Sequence, residues 1–364
     1  MIAATCGTLS LASCGNTATE ASADTARTPE TEALLEGLRA VSGEGIMYGH
    51  HDDTVYGTSW FADEGRSDVK EVCGDYPAII SFDLGKLELG SDTTLDRVRF
   101  DKIRAEAVAH YERGGMVSMS WHLRNPKTGG DSWDTSDSTV VASILPGGEL
   151  HGKFAGWLGL LADFLNSLQT ADGVKVPVLF RPWHEHTGSW FWWGAKLCTP
   201  DDYKVLWRMT VDTLRAKGVD NTLYAYSTGT EPRDTAQYLE RYPGDDLVDL
   251  IGFDSYQFAA DPAEFLETVE RLTAIIDTVG AAHGKIIAVT ETGYESIPDP
   301  TWWTGTLLPP LKKYPLAYVL TWRNASDKPG HFYGPYPGQA SADDFVAFYN
   351  DPATLFLGDV NLYE

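Results

Sequence analysis

The sequence predicts a single (β/α)8 barrel, and two observations lead to this fold class. Eight short apolar runs rich in β-branched residues alternate with longer segments of helical period. The segments between a run and the next helix are long, whereas connections back to a run, such as 218–222, are short. Parallel strands need crossover helices and are buried on both faces, which fits these runs. An open doubly wound sheet is the alternative, but no glycine-rich phosphate-binding sequence follows the first run.

The predicted elements follow one another in a regular order along the chain. Helical spacing of apolar residues is clearest at 154–168 and 265–279. Long loops leave the carboxyl ends of the third, fourth and eighth runs, at 123–152, 183–200 and 323–341, and this end of a barrel is where active sites form. The eight runs predicted to be strands are 46–49, 78–82, 116–121, 176–180, 223–226, 248–253, 286–289 and 316–321.

Composition excludes several classes of protein. The 364 residues are 43% hydrophobic and 22% charged, which is enough to form a full core without metals or disulfides. A net charge of -24 repels phosphate backbones, so we exclude nucleic acid as a partner. No apolar run reaches the roughly 18 to 20 residues that span a bilayer. The 12 Trp, 17 Tyr and 14 Phe residues offer flat apolar faces of the kind that bind sugar rings.

The amino terminus resembles a bacterial lipoprotein signal. Residues 1–15 are small and apolar, and Leu11-Ala12-Ser13-Cys14 resembles a lipobox that is cleaved before the cysteine. We therefore predict a signal at 1–14 with lipidated Cys14, a flexible tether at 15–28 and the barrel domain at 29–364. This implies the cell envelope of a bacterium, in the periplasm or at the outer membrane, with secretion as the alternative. No basic residue precedes Arg27, which departs from the usual signal and leaves a frayed cytosolic terminus as a further alternative.

A carboxylate follows the fourth apolar run and is surrounded by aromatic residues. Glu185 lies in a segment that contains Trp183, Trp190, Trp192 and Trp193. Desolvation by such rings raises the pKa of a carboxylic acid toward neutral pH, as a general acid requires. The alternative is a structural carboxylate that pairs with Arg181.

A second carboxylate, Glu291, follows the seventh run. Residues at the ends of strands four and seven face each other across a barrel mouth, and glycoside hydrolysis uses such a pair of carboxyl groups. We predict that Glu185 is the acid/base and Glu291 the nucleophile. Glu295 is a rival nucleophile that lies farther into the loop.

The sequence His50-His51-Asp52-Asp53 after the first run has the composition of a metal site. A metal-dependent barrel hydrolase also needs ligands on later strands, but the fifth run ends in Tyr226-Ser227-Thr228 and the eighth in Trp322-Arg323. We therefore expect neither a metal nor another cofactor. His50 and His51 are interpreted either as residues at the rim of the barrel or as residues that lie behind the side chains that contact the sugar.

These motifs together resemble glycoside hydrolase family 26, the β-mannanases. The resemblance covers about residues 30–364, and its motifs fall on five strand ends in the family's order. It implies a barrel enzyme that retains anomeric configuration, with Glu185 as acid/base and Glu291 as nucleophile. The motifs are Ser120-Trp121-His122, Trp183-His184-Glu185 with Gly188 and Trp190-Phe191-Trp192-Trp193-Gly194, Asp254-Ser255-Tyr256, Thr290-Glu291 and Thr321-Trp322-Arg323.

The resemblance also assigns substrate-binding residues. His122 and His184 match histidines near the cleavage point, and Tyr256 matches the tyrosine that hydrogen-bonds the nucleophile. Trp322 matches the platform under the sugar at the cleavage site, and Trp190 the aromatic wall on the leaving-group side. Arg323 matches a residue that binds the next sugar on the non-reducing side, and we expect Asn324 and His331 to extend that subsite.

We also expect Trp121, Trp183, Trp192 and Trp193 to gather beside the two carboxylates, in contrast to Trp157 and Trp207, which we assign to packing.

Several alternatives stay open at this stage. The implied substrate is β-1,4-mannan, including galactomannan, glucomannan and manno-oligosaccharides, cleaved internally or by release of mannobiose from chain ends. A β-1,3-xylanase, a mixed-linkage β-glucanase and a non-catalytic glycan-binding lipoprotein are the alternative functions. We expect a monomer. Cys73 and Cys198 have no zinc-like spacing and are interpreted as structural thiols, with a disulfide between them undecided.

Overall fold

Eight parallel strands close into a barrel in the structure, a computed structural model that describes residue 1 and residues 26–364. Each strand pairs with its neighbours in sequence order, and β8 pairs with β1 from Met47↔Tyr318 to His50↔Thr321. The predicted (β/α)8 barrel is confirmed, and the doubly wound alternative is wrong because β1 pairs with both β2 and β8. The barrel strands are β1 Ile46–His51, β2 Ile79–Asp83, β3 Met116–Ser120, β4 Val178–Arg181, β5 Thr222–Thr228, β6 Leu250–Gln257, β7 Ile286–Tyr294 and β8 Tyr318–Thr321.

Helices cover the outside of the barrel between the strands. The two helical segments with the clearest predicted spacing are present as α5 and α8, and their apolar residues face the strands. The helix after β4 begins where Thr199 accepts a hydrogen bond from the Asp202 amide and Pro200 occupies the first turn. The α-helices are α1 Pro29–Val41, α2 Asp68–Cys73, α3 Phe100–Glu112, α4 Val140–Ile144, α5 His151–Asn166, α6 Pro200–Ala216, α7 Thr235–Leu239, α8 Ala263–His283, α9 Leu308–Leu311 and α10 Ala342–Tyr349.

Helix α1 closes the amino-terminal end of the barrel. Leu34 and Leu38 are fully buried and belong to one apolar cluster with Met47, Ala78 and other residues at the starts of the strands. This packing leaves only the carboxyl end of the barrel open, where the long loops are.

Two strands continue farther than the apolar runs predicted. β6 reaches Gln257 rather than ending at 253, and β7 reaches Tyr294 rather than 289. The added residues include polar side chains that are buried only because the closed ring surrounds them, so hydrophobic pattern does not report them. A short hairpin, Tyr56–Gly57 with Trp60–Phe61, and the strand Thr354–Leu355 beside β1 are also too short for periodicity to detect.

Both cysteines of the described chain are free thiols, so the undecided disulfide is not formed. Burial raises the pKa of Cys73 and of Cys198 to about 12, which makes both thiols unreactive.

The predicted lipobox and Cys14 lie outside the described residues. Within residues 26–364, no helix has both the length and the apolarity needed to cross a bilayer.

Candidate active site

Glu185 lies in a strained turn directly after β4. Trp183 and Glu185 have φ angles of 54° and 53°, in the left-handed region that residues other than glycine seldom adopt. Each such residue costs about 1–3 kcal/mol, and strain of this kind concentrates at functional sites. The Glu185 amide donates to the Ser227 carbonyl (3.1 Å), which fastens this turn to the end of β5.

Three carboxylates meet at the mouth of the barrel. Glu185 from β4, Asp254 from β6 and Glu291 from β7 each present an oxygen within 4.8 Å of the other two. Catalytic carboxyl groups of retaining glycosidases lie about 5–5.5 Å apart, and those of inverting enzymes about 6.5–9.5 Å. The close approach of Glu185 and Glu291 fits the retaining geometry.

Arg181, the last residue of β4, neutralises two of these carboxylates. Its Nη1 donates to Asp254 Oδ2 at 2.5 Å, and its Nη2 donates to Glu291 Oε2. The structural alternative predicted for Glu185, a pair with Arg181, is therefore wrong, because Arg181 is bound to the other two carboxylates. Burial acts to lower the pKa of Arg181, but Asp254 and Glu291 outweigh it and raise the pKa above its usual value.

The orientation of Glu291 follows from an irregularity in the sheet. Phe253 pairs with Val289 but Asp254 pairs with Glu291, so Thr290 is an extra residue on β7. Bulges of this kind re-aim side chains near active sites. Tyr256 Oη donates to Glu291 Oε1 at 2.5 Å, so both oxygens of Glu291 accept hydrogen bonds and the orientation of the carboxylate is fixed.

Glu185 has the environment of a general acid. Its side chain is half-buried, and desolvation, followed by the negative charges of Asp254 and Glu291, raises its pKa well above the usual value. Trp190 opposes this effect, because its Nε1 donates to Glu185 Oε2 at 2.5 Å and stabilises the ionised form. A raised pKa favours the protonated form of Glu185, which is the form that can protonate a leaving oxygen.

Two histidines form a hydrogen-bonded pair beside the carboxylates. His122 Nδ1 donates to Asp83 Oδ2 at 2.6 Å, and its Nε2 lies 3.0 Å from His184 Nε2. Burial lowers the pKa of both rings, but Asp83 offsets it at His122, whose pKa is raised, while that of His184 is well below normal. We therefore assign His122 as the donor and neutral His184 as the acceptor in the contact between them.

Trp322 and Arg323 follow β8, and the Trp322 ring lies edge-on to His122 with ring centroids 5.9 Å apart. His51 stacks on Trp322 with ring centroids 4.0 Å apart and planes at 21°, so the buried histidine supports one face of the indole. Arg323 Nη1 donates to Asp96 Oδ1 at 2.5 Å, and Tyr56 Oη lies 3.4 Å away. These contacts hold the Trp322 ring and the Arg323 guanidinium in fixed positions at the end of β8.

Four of the tryptophans expected beside the carboxylates are buried around the turn that carries Glu185. Trp121, Trp183, Trp192 and Trp193 are fully buried, and Trp183 Nε1 donates to Thr210 on α6. They pack around the turn that carries Glu185, but as buried rings they do not offer a face to a sugar. The position of a tryptophan at a strand end in the sequence does not show whether its ring is exposed in the cleft or buried.

Four further candidates have defined partners, and one of them, Asn324, is buried and does not extend the subsite as expected. Glu295, the rival nucleophile, pairs with His331 Nδ1 at 2.7 Å in a contact between loops. Asn324 is buried and fastens its loop through Asp68 at 3.0 Å and the Gly334 amide at 2.8 Å. His50 is buried, which agrees with the interpretation that it lies behind the sugar-binding residues, and its Nδ1 pairs with Asp53 Oδ1 at 2.9 Å.

The sequence analysis missed three charged members of the site. Asp254 was noted only as part of a motif, Arg181 only as a partner for Glu185, and Asp83 not at all. Asp83 and Arg181 are the last residues of β2 and β4, and Asp254 directly follows the predicted run 248–253, so a charged residue after an apolar run was the available signal. Glu185, Asp254 and Glu291 are also the carboxylates of the described chain that could hold a metal, but Arg181 already supplies positive charge there.

A closed barrel with one carboxylate after β4 and another on β7, close together at its mouth, is typical of the class of barrel glycoside hydrolases. Within that class, the chain belongs to glycosyl hydrolase family 26, whose family model matches residues 23–305.

Several relatives in this family are named as mannan-cleaving enzymes. A mannan endo-1,4-β-mannosidase of Bifidobacterium adolescentis is 33% identical over 93% of this chain and 36% of its own length. One of Thermothelomyces thermophilus is 31% identical over 73% of this chain and 51% of its own length. The chain thus spans about a third to a half of these curated relatives. The structure of a family 26 β-mannanase from Bacteroides ovatus is 57% identical, with a TM-score of 0.91 over 93% of this chain and 98% of that one.

Proposed function

We propose that this chain is a retaining β-mannanase that cleaves β-1,4-mannosidic bonds. The observation that carries the proposal is the approach of Glu185 and Glu291 to within 4.8 Å across the mouth of the barrel. The activities named for the relatives indicate that the sugar is mannose. The Trp190 and Trp322 rings and the hydrogen-bonding side chains at the mouth suit a neutral polysaccharide.

The mechanism follows from the positions of these groups. Ionised Glu291, held by Tyr256 and Arg181, attacks the anomeric carbon while Glu185 gives its proton to the leaving oxygen. The bond from the anomeric carbon to the leaving oxygen breaks, and an ester to Glu291 forms. Glu185, now ionised, takes a proton from water, whose oxygen attacks the anomeric carbon and releases Glu291. Two displacements restore the original configuration.

Substrate binding divides between the two sides of the mouth. Trp322 supports the sugar at the cleavage site, and His122 and His184 hydrogen-bond its hydroxyl groups. Arg323, already fixed by Asp96, binds the next sugar on the non-reducing side. Trp190 flanks the leaving group while it holds Glu185.

The test combines product stereochemistry with two variants. We expect NMR of freshly cleaved manno-oligosaccharide to show the β-anomer first. Replacing Glu185 by Ala should slow mannan cleavage by about a hundred- to ten-thousand-fold, and Glu291→Ala at least as much. Glu295→Ala is the matched control and should retain parental activity. Initial release of the α-anomer, or parental rates in the Glu185 and Glu291 variants, contradicts the assignment.

Substrate and mode of attack are measured in the same assays. Glucomannan and galactomannan should be cleaved, and xylan and lichenan should not; the reverse would favour the xylanase or glucanase alternative. In a time course with linear mannan, early mannobiose alone marks attack at chain ends, and a ladder of products marks internal cleavage. Binding without any cleavage would support the non-catalytic alternative.

A further inference from the structure

Phe258 is an apolar side chain that the fold leaves almost completely in solvent. Its ring is 92% exposed, although it follows β6 directly and lies only two residues from Tyr256. The Phe258 and Tyr256 rings have centroids 6.2 Å apart with planes at 34°, and Tyr256 in turn donates to Glu291. The exposed ring is therefore connected to the reacting centre through a single aromatic side chain.

The loop that carries Phe258 is fastened on both sides of the ring. Gln257 Nε2 donates to the Ala259 carbonyl at 2.8 Å, and the buried Trp302 Nε1 donates to Gln257 Oε1 at 2.9 Å. Gln257 and Trp302 are buried, so the backbone around Phe258 is fixed to the barrel. Because the backbone on both sides of Phe258 is fixed, the exposed ring presents an apolar face to solvent without a conformational change.

The order of the strands places Phe258 on the leaving-group side. In a ring of eight strands, β4 to β6 lie opposite β8, β1 and β2. Trp322 and Arg323, which hold the cleaved sugar and its neighbour in the proposed function, follow β8. Glu185, which protonates the leaving oxygen, follows β4, so the departing chain extends toward the loops after β4, β5 and β6.

A polar group lies on the same side of the mouth. Thr187 Oγ1 donates to Glu231 Oε2 at 2.7 Å, and the Gly229 amide donates to Thr187 Oγ1 at 2.9 Å. Glu231 Oε1 has no hydrogen-bond partner among the described residues and can accept from a sugar hydroxyl. A cavity of about 130 Å³ next to Phe258 is lined by Thr230, the neighbour of Glu231, and by Asp261 and Glu264.

We propose that Phe258 and Glu231 form a binding position for a mannosyl unit of the departing chain. The proposal rests on the proposed function and adds the residues that recognise the leaving-group side. The apolar face of the sugar stacks on Phe258, and Glu231 accepts a hydrogen bond from one of its hydroxyl groups. An apolar platform beside an acceptor is the usual composition of a carbohydrate site.

The test compares two substrates in one variant. Mannopentaose places sugar units on the leaving-group side, whereas 2,4-dinitrophenyl β-mannobioside has a single aryl ring there and no sugar hydroxyls. We measure the ratio of kcat/KM for mannopentaose to kcat/KM for the aryl substrate. In Phe258→Ala this ratio should fall about ten-fold, and Glu231→Ala should lower it in the same direction.

The control is Val205→Ala, which removes an exposed apolar side chain from α6 on the outside of the barrel and should leave the ratio unchanged. A ratio within two-fold of the parent in Phe258→Ala overturns the proposal. Equal loss on both substrates also overturns it, because a merely structural role would act on both. If the parent cleaves neither substrate, the proposed function itself is wrong, which is a separate outcome.

Discussion

At the scale of single residues, the proton of Glu185 is controlled by neighbours that act in opposite directions. Burial and the negative charges of Asp254 and Glu291 favour the protonated form, whereas the Trp190 indole favours the ionised form. The net result of these opposing effects is a raised pKa for Glu185. The left-handed backbone at Glu185 shows that the fold accepts strain to place this group.

Trp190→Phe tests this balance. The change removes the hydrogen bond to the ionised carboxylate, so the pKa of Glu185 should rise further. Because the acid must be protonated, activity falls as pH rises through that pKa, and the alkaline limb of the pH profile of kcat/KM should move to higher pH. Trp133→Phe is the matched control, since this exposed indole does not contact Glu185. An alkaline limb that stays in place or moves down contradicts this account.

At the scale of secondary-structure elements, α1 does not touch the site but closes the opposite end of the barrel. Its buried leucines complete the apolar cluster at the strand starts, while Glu36 on its other face is exposed. The helix therefore contributes to stability and not to chemistry, which is the usual division between the two ends of this fold.

Leu38→Ala separates these roles. Loss of this fully buried side chain should lower the free energy of unfolding by about 2–5 kcal/mol, because it leaves a cavity under the strands. Chemical denaturation measures the change, and kcat/KM at 25 °C should equal that of the parent. Glu36→Ala, on the exposed face of the same helix, should change stability by less than about 0.5 kcal/mol. Parental stability of Leu38→Ala would mean that α1 does not close the core.

The sequence predicted the barrel strands and the positions of the two glutamates better than it predicted the contacts between residues on different strands. All eight barrel strands were found because each contains an apolar β-branched run, and Glu185 and Glu291 were found because each follows such a run. The bond from Arg181 to Asp254 joins residues 73 apart in sequence and exists only once the ring closes. The extra residue Thr290 also depends on how β7 pairs with β6, and no local pattern records it.

At the scale of the whole molecule, charge is distributed unevenly between surface and site. The chain carries a net charge of -24, yet at the centre of the mouth a buried arginine faces the carboxylates. An overall negative surface is compatible with a neutral polysaccharide, which needs no electrostatic attraction. Within the site, the guanidinium of Arg181 provides fixed positive charge to Asp254 and Glu291.

Chelation tests whether this internal charge is sufficient. Because Arg181 already pairs with Asp254 and Glu291, prolonged dialysis against EDTA should leave the rate of mannan cleavage unchanged. Added Ca²⁺, Mg²⁺ or Zn²⁺ should not increase it. Loss of activity on dialysis that a divalent cation restores would instead assign Glu185, Asp254 and Glu291 as metal ligands.

The proximity of Glu185 and Glu291 has a consequence for the timing of the two displacements. The charge of ionised Glu291 is one of the contributions that raise the pKa of Glu185. In the proposed mechanism Glu291 becomes an ester to the sugar and loses its charge, so that contribution disappears and Glu185 becomes a stronger acid after the first step. The same side chain then holds its negative charge more readily and accepts a proton from water. The covalent state of one glutamate thus switches the other from donor to acceptor within a single turnover.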